Sequence, residues 1–193
     1  MVEISGTALL ASLLAGAAPI LLATLGETIT ERAGVINLSL DGTILLGAMT
    51  AFAVACSTGS LVAGYLAAGA VGALLAGIVS ATSLYWKVSQ VAVGFVLTLL
   101  CADLSSFLGL PYVRVPGPSM PHWPIAGLVD IPALGRILFN HNALVYLSYA
   151  TILGTWWWIG HSRPGLRLRA VGERPEAAYA RGIDANRLRY LYT

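Results

Sequence analysis

The chain is predicted to be all-α, a polytopic transmembrane helical bundle, on three observations. Its 193 residues are 57% apolar and only 10% charged, with a mean hydropathy of +0.77, which leaves too little polar surface to coat a soluble domain of this size. The apolar residues fall in runs long enough to cross about 30 Å of hydrocarbon at ~1.5 Å per residue. Seven of the ten arginines (Arg163, Arg167, Arg169, Arg174, Arg181, Arg187 and Arg189) cluster near one end. By the positive-inside bias that segment faces the cytoplasm and orients every span.

The first span is Thr7 to Leu25. A secretory signal is set aside, because Glu3 is the only charge before the run and a basic n-region is missing. Residues 26–42, GETITERAGVINLSLDG, carry Glu27, Glu31, Arg32 and Asp41. Four charges at about 2.5–3.5 kcal/mol each would cancel the insertion energy of a lipid-facing span, so they face water or protein. Composition favours an ordinary cytoplasmic loop here.

Spans two and three, Thr43 to Ser57 and Leu61 to Thr82, are separated by the turn-forming residues 57–60. Small residues at 47, 51, 55 and 59, and again at 69, 73, 77 and 81, place one close-packing stripe on each helix. Residues 83–90 hold Lys87, the one lysine, beside the interface anchors Tyr85 and Trp86. Two spans separate this loop from the arginine cluster, so both lie inside. The same parity puts residues 26–42 on the cytoplasmic side and the amino terminus outside.

Span four, Val91 to Leu110, contains Asp103 in its outer half, where lining a pathway and sitting at the interface are both open readings. Residues 111–142 hold six of the nine prolines and form an outer loop lying on the membrane surface. His122 and His141 lack partners at metal-ligand spacing and are read as solvated, so no metal site is expected. Span five, Ala143 to Ile159, runs inward to Trp156, Trp157 and Trp158. Asp184 is placed to cap a further helix, the start of a sixth span.

Within 161–187, Pro175 suits the first turn of a short helix and Gly182 the left-handed residue that ends it. Small residues let another protein approach that helix closely, and Glu173, Arg174, Glu176 and Arg181 supply charged contacts at its rim. Glu-Ala-Ala-x-x-x-Gly in a cytoplasmic loop resembles the coupling loop of ABC importer permeases. The longer string from Gly165 to Ile183, Gly-Leu-x-Leu-Arg-Ala-Val-Gly-Glu-x-Pro-x-Ala-Ala-x-x-x-Gly-Ile, is similar to the branch for nucleosides and simple sugars, related to the ribose type.

The resemblance implies one permease domain over 1–193, incomplete at its carboxyl end, in a bacterial plasma membrane. It implies that Arg169, Gly172, Glu173, Glu176, Ala177, Ala178 and Gly182 couple the chain to an ATP-binding subunit. Glu31 to Gly42 also looks like the branch's signature, in which a broken helix lies near the translocation path. On that reading Asn37, Ser39 and Asp41 join Thr98 and Asp103 as pathway candidates. Thr98 stands where the branch commonly has asparagine after Gly-x-x-Leu. Implied partners are the ATPase subunit, a second permease copy or homologue, an external substrate-binding protein and membrane lipid.

No Walker loop, Ser-His-Asp or Cys-His arrangement or CxxC occurs, and Cys56 and Cys101 read as packing residues. The chain is therefore expected not to be an enzyme and to hold no cofactor, with ATP and magnesium on the partner. Nucleic-acid binding has no support. The competing reading is a small non-ABC membrane protein, a secondary carrier or assembly factor, whose basic loop anchors on anionic lipid.

Overall fold

A computed structural model describes residues 6–132 and 134–193; Glu3 and the amino terminus, with its expected outside location, lie outside the described residues. Nine α-helices follow in order among the described residues: α1 (Gly6–Arg32), α2 (Leu40–Thr58), α3 (Leu61–Leu84), α4 (Gln90–Gly109), α5 (Leu134–Leu138), α6 (Ala143–His161), α7 (Arg163–Glu173), α8 (Pro175–Ala180) and α9 (Ala185–Tyr192). The only strand-like pairing among the described residues is an isolated bridge between His122 and Asn142. The fold divides into two compact units, Met1–Leu25 with Ser119–Trp157, and Gly26–Pro118 with Trp158–Thr193.

Among the described residues, four helices are long and apolar enough to cross a membrane: α1, α2, α3, and α4 extended by its 3-10 turn to Tyr112. Their outward side chains, such as Leu66, Phe95 and Phe107, are large and apolar. Such a surface needs lipid or neighbouring helices over it. The fifth expected span forms as α6, of spanning length at 19 residues. It stays outside that group because Tyr146, Tyr149 and the three tryptophans dilute its hydropathy.

In the larger unit, α2, α3 and α4 pack together around Leu75, Val79, Leu97 and Cys101. Hydrophobic drive is weak between helices in lipid, so close backbone approach matters. The α2 stripe provides it: a Cβ at Gly64 of α3 would lie 2.6 Å from the Ala51 carbonyl oxygen and 3.1 Å from the Ala55 methyl. The expected second stripe is corrected, because Gly69 and Gly77 meet nothing within 4 Å. The helix turns its Gly64, Leu75 and Val79 face to its neighbours instead.

In the smaller unit, the segment after residue 119 is irregular, as its prolines require, until α5. Its backbone pairs back on itself, Trp123 N–H to the His141 carbonyl (3.0 Å) and Ile125 N–H to the Phe139 carbonyl (3.1 Å). His122 is exposed, as expected. His141 is not solvated: it is 3% exposed, and its Nε2 lies 2.7 Å from the Ile137 carbonyl oxygen. A buried imidazole needs such a partner, and the folding-back of the loop supplies it.

Candidate functional site

Two regions of the larger unit hold the residues singled out above. The first is the polar stretch 26–42, whose residues Gly26 to Arg32 continue α1 as helix. The helix ends in a Schellman motif: Gly34 takes φ +83, its N–H reaches the Glu31 carbonyl at 2.9 Å, and the Val35 N–H reaches the Thr30 carbonyl at 3.2 Å. A short linker, Ile36 to Ser39, then leads into α2.

Side chains hold this linker. Glu27 Oε1 accepts from the Asn37 N–H at 3.0 Å, Gln90 Oε1 accepts from the Ile36 N–H at 2.9 Å, and Thr98 Oγ1 donates to the Leu38 carbonyl at 2.8 Å. Asn37 Oδ1 accepts from both the Ser39 N–H (3.0 Å) and the Ser39 hydroxyl (2.6 Å), fixing the turn into α2. Charged and polar acceptors on backbone donors are what allow a non-helical stretch beside apolar helices.

The linker and the start of α2 lie hard against α4. A Cβ at Gly42 would fall 2.7 Å from Thr98 Cα, and one at Gly94 would fall 2.9 Å from Leu38 Cβ. Asn37, Ser39 and Thr98 are therefore brought together, with Ser39 fully buried. Asp41 and Asp103 are exposed, and neither joins this hydrogen-bonded group.

The second region is the arginine-rich segment, a compact set of three helices. Ser162 starts α7: its hydroxyl oxygen accepts from the Gly165 N–H at 3.0 Å and donates to the Trp158 carbonyl at 2.6 Å. On α7, Leu168 and Val171 are fully buried, while Arg169 is half-buried and Glu173 exposed. Gly172 meets the end of α1, since a Cβ there would crowd the Arg32 carbonyl.

Pro175 opens α8 as the sequence predicts. Gly182, at φ +77, closes it in a second Schellman motif, with Gly182 N–H to the Tyr179 carbonyl at 2.8 Å and Ile183 N–H to the Ala178 carbonyl at 3.1 Å. The six-residue helix turns Ala178 inward and presents Glu176, Ala177 and Tyr179 outward. Gly182 is exposed and open, with nothing within 4 Å of a Cβ. Asp184 caps α9, accepting from the Arg187 N–H at 3.1 Å.

Between α7 and α8 runs a groove of about 420 Å³ with Leu166, Ala170, Ala177 and Ile183 along it and Arg167, Glu173, Arg174 and Arg181 around it. An apolar floor ringed mainly by guanidinium groups suits a protein surface bearing carboxylates. Two members of the region escaped the sequence reading. Tyr179 is 75% exposed, and alternation around a six-residue helix is too short a pattern to foretell that. Arg189 was counted among the positive-inside charges, yet its guanidinium donates to the Ala33 carbonyl at 3.0 Å and the Val171 carbonyl at 3.5 Å.

The chain has relatives among known proteins. The chain is 38% identical over 176 residues, 89% of its own length and 54% of the relative's, to a provisionally named glucose ABC transporter permease protein, TsgC13, of Haloferax volcanii. It is 33% identical over 190 residues, 91% of its length and 59% of the relative's, to the guanosine ABC transporter permease protein NupQ of Bacillus subtilis. A nucleoside ABC transporter permease protein of Lactococcus lactis, NupC, shares 25% over 193 residues, 94% of the chain and 61% of that relative. The chain thus spans little more than half the length of these relatives. No solved structure matches it. The family model for the permease component of the branched-chain amino acid transport system matches residues 9–193. The unrelated carrier or assembly-factor reading is not favoured by these matches. With four helices among the described residues long and apolar enough to cross a membrane, and a family match that covers nearly the whole chain, the chain is a multi-pass membrane protein that belongs to this ABC permease family.

Proposed function

We propose that the chain is the membrane-spanning part of a permease subunit in an ATP-driven importer of nucleosides or simple sugars, and that α8 is its coupling helix. The observation that carries the reading is the form of α8. It is a six-residue helix with Pro175 at its start and a Schellman cap at Gly182, backed by buried Ala178 and displaying Glu176, Ala177 and Tyr179. A short helix fixed at both ends and supported on α7 and α9 is a rigid plug for a socket on another protein.

An ATPase subunit binds this face on the cytoplasmic side and carries ATP and magnesium; this chain does not hydrolyse ATP. Arg169, Gly172 and Glu173 support the plug from α7, while Glu176, Ala177 and Gly182 meet the partner. Nucleotide-driven motion of the socket reaches the spans as rigid-body rocking. A second permease subunit completes the path, and a binding protein delivers solute to the outer loop. Asn37, Ser39 and Thr98 lie near the path, with Asp41 and Asp103 as exposed candidates along it. The relatives named for guanosine, nucleosides and glucose support this solute class.

The test is a membrane pull-down of the full-length protein, unmodified and as Ala177→Trp, probing for a co-purifying ATPase. Position 177 is exposed on a helix, so the indole burdens the docking face without disturbing the fold. Recovery of an ATPase with the unmodified protein and its loss with the variant is expected. Equal recovery with both would remove α8 from the interface, and recovery with neither would remove the coupling reading.

A further inference from the structure

We propose that Arg189 is a positioning residue for transport, a clamp that fastens the coupling unit to the end of the first membrane helix. The inference rests on the coupling reading of α8 and concerns how its motion reaches the membrane. Arg189 belongs to α9, yet its Nε donates to the Ala33 carbonyl at 3.0 Å and its Nη2 to the Val171 carbonyl at 3.5 Å. One side chain thereby ties α9 to the cap of α1 and to α7. Both acceptors sit in a dry place: Ala33, Val35, Leu168 and Val171 are fully buried.

The local backbone is shaped for this clamp. Gly34 takes φ +83, and a Cβ there would lie 3.0 Å from Arg189 Nη2, so the glycine both closes the Schellman motif and clears room for the guanidinium. Gly172 lets α7 approach the Arg32 carbonyl closely. Around the clamp, α9 is further fixed by Tyr190 against Tyr85 and Tyr192 against Trp158, with ring centroids 6.2 and 5.5 Å apart.

A planar guanidinium holds two carbonyls at once because its donors diverge in a fixed fork. An ammonium is a single point and an amide is shorter. Force arriving at α8 passes to α7 and α9, and the clamp hands it to the α1 cap. From there the linker carries it through Glu27, Gln90 and Thr98 to α4.

The experiment reconstitutes the full-length permease with its ATPase, second permease subunit and binding protein in proteoliposomes. Guanosine and glucose are each offered as solute, and ATP hydrolysed per solute carried is measured. Arg189→Lys and Arg189→Gln are compared with Arg187→Ala, a control two residues earlier on roughly the opposite, exposed face of the same helix. Both Arg189 variants are expected to assemble and to hydrolyse ATP at the basal rate, with the ATP-to-solute ratio raised at least about five-fold, the lower end of typical coupling factors. Arg187→Ala should leave the ratio unchanged.

An unchanged ratio in the Arg189 variants overturns the clamp while leaving the coupling reading intact. Failure of both variants to accumulate assigns Arg189 a folding role and equally overturns it. If the unmodified complex carries neither solute and shows no binding-protein-stimulated hydrolysis, the coupling reading falls, and the clamp with it.

Discussion

Replacing Gly172 by alanine adds one methyl group where α7 meets the end of α1. Its Cβ would lie 3.1 Å from the Arg32 carbonyl carbon, closer still to the oxygen, and 3.5 Å from the Gly34 nitrogen. These obstacles are backbone and cannot rotate away. With carbon contacts optimal at about 3.5–4.0 Å, α7 has to withdraw by several tenths of an ångström or more. The Arg189 bond to the Val171 carbonyl, already 3.5 Å, then passes out of range.

Overpacking costs about 1–3 kcal/mol, and a rigid obstacle puts this site in the upper part of that range. Alanine returns about 1 kcal/mol of helix propensity over glycine. The net loss of about 1–2 kcal/mol raises the population of locally opened α7 roughly 5- to 30-fold. Trypsin reads that population directly, since cleavage after Arg167 and Arg169 inside the helix requires opening and tracks it when reclosing is fast. The assay is timed tryptic digestion of the full-length protein in detergent. Gly26→Ala serves as control, as its Cβ would meet nothing within 4 Å. Cleavage of the Gly172→Ala variant within about two-fold of the native rate would refute the packing argument.

Other outcomes follow from the same geometry. Gly42→Val should fail to accumulate or lose heat stability, because even its Cβ would fall 2.7 Å from Thr98 Cα and 2.9 Å from the Thr98 carbonyl; thermal aggregation in detergent measures this. Thr98→Val keeps the shape of α4 but leaves the Leu38 carbonyl without its 2.8 Å donor, a loss of about 1–3 kcal/mol. It should lower the melting temperature, and native stability of the variant would contradict a held linker. Single cysteines replacing Trp123 and Arg181, both exposed, should react with an impermeant maleimide from outside and from inside the cell respectively, in a background lacking Cys56 and Cys101. Labelling of both from one side would overturn the topology.

Composition and chain-local signals were enough to set the membrane class, the run of apolar helices, and the local form of the arginine-rich unit. These depend on composition and on neighbours in the chain: a proline starts α8, a glycine with positive φ ends it, and Asp184 caps α9, all within a few residues. Of the two close-packing stripes, the one on α2 is used, against Gly64 of α3, and the one read on α3 is not, because a helix carries small residues on more than one face and only the neighbour selects which is used. The inward turn of Ala178, the burial of His141, and the meeting of Glu27, Gln90 and Thr98 on one linker were decided by tertiary structure alone. So were the bonds of Arg189, whose acceptors lie 156 and 18 residues away in the chain. A hydrogen bond to a distant carbonyl leaves no mark on the donor's own neighbourhood, so an arginine read as a surface charge and an arginine locked between two helices look alike until the chain is folded.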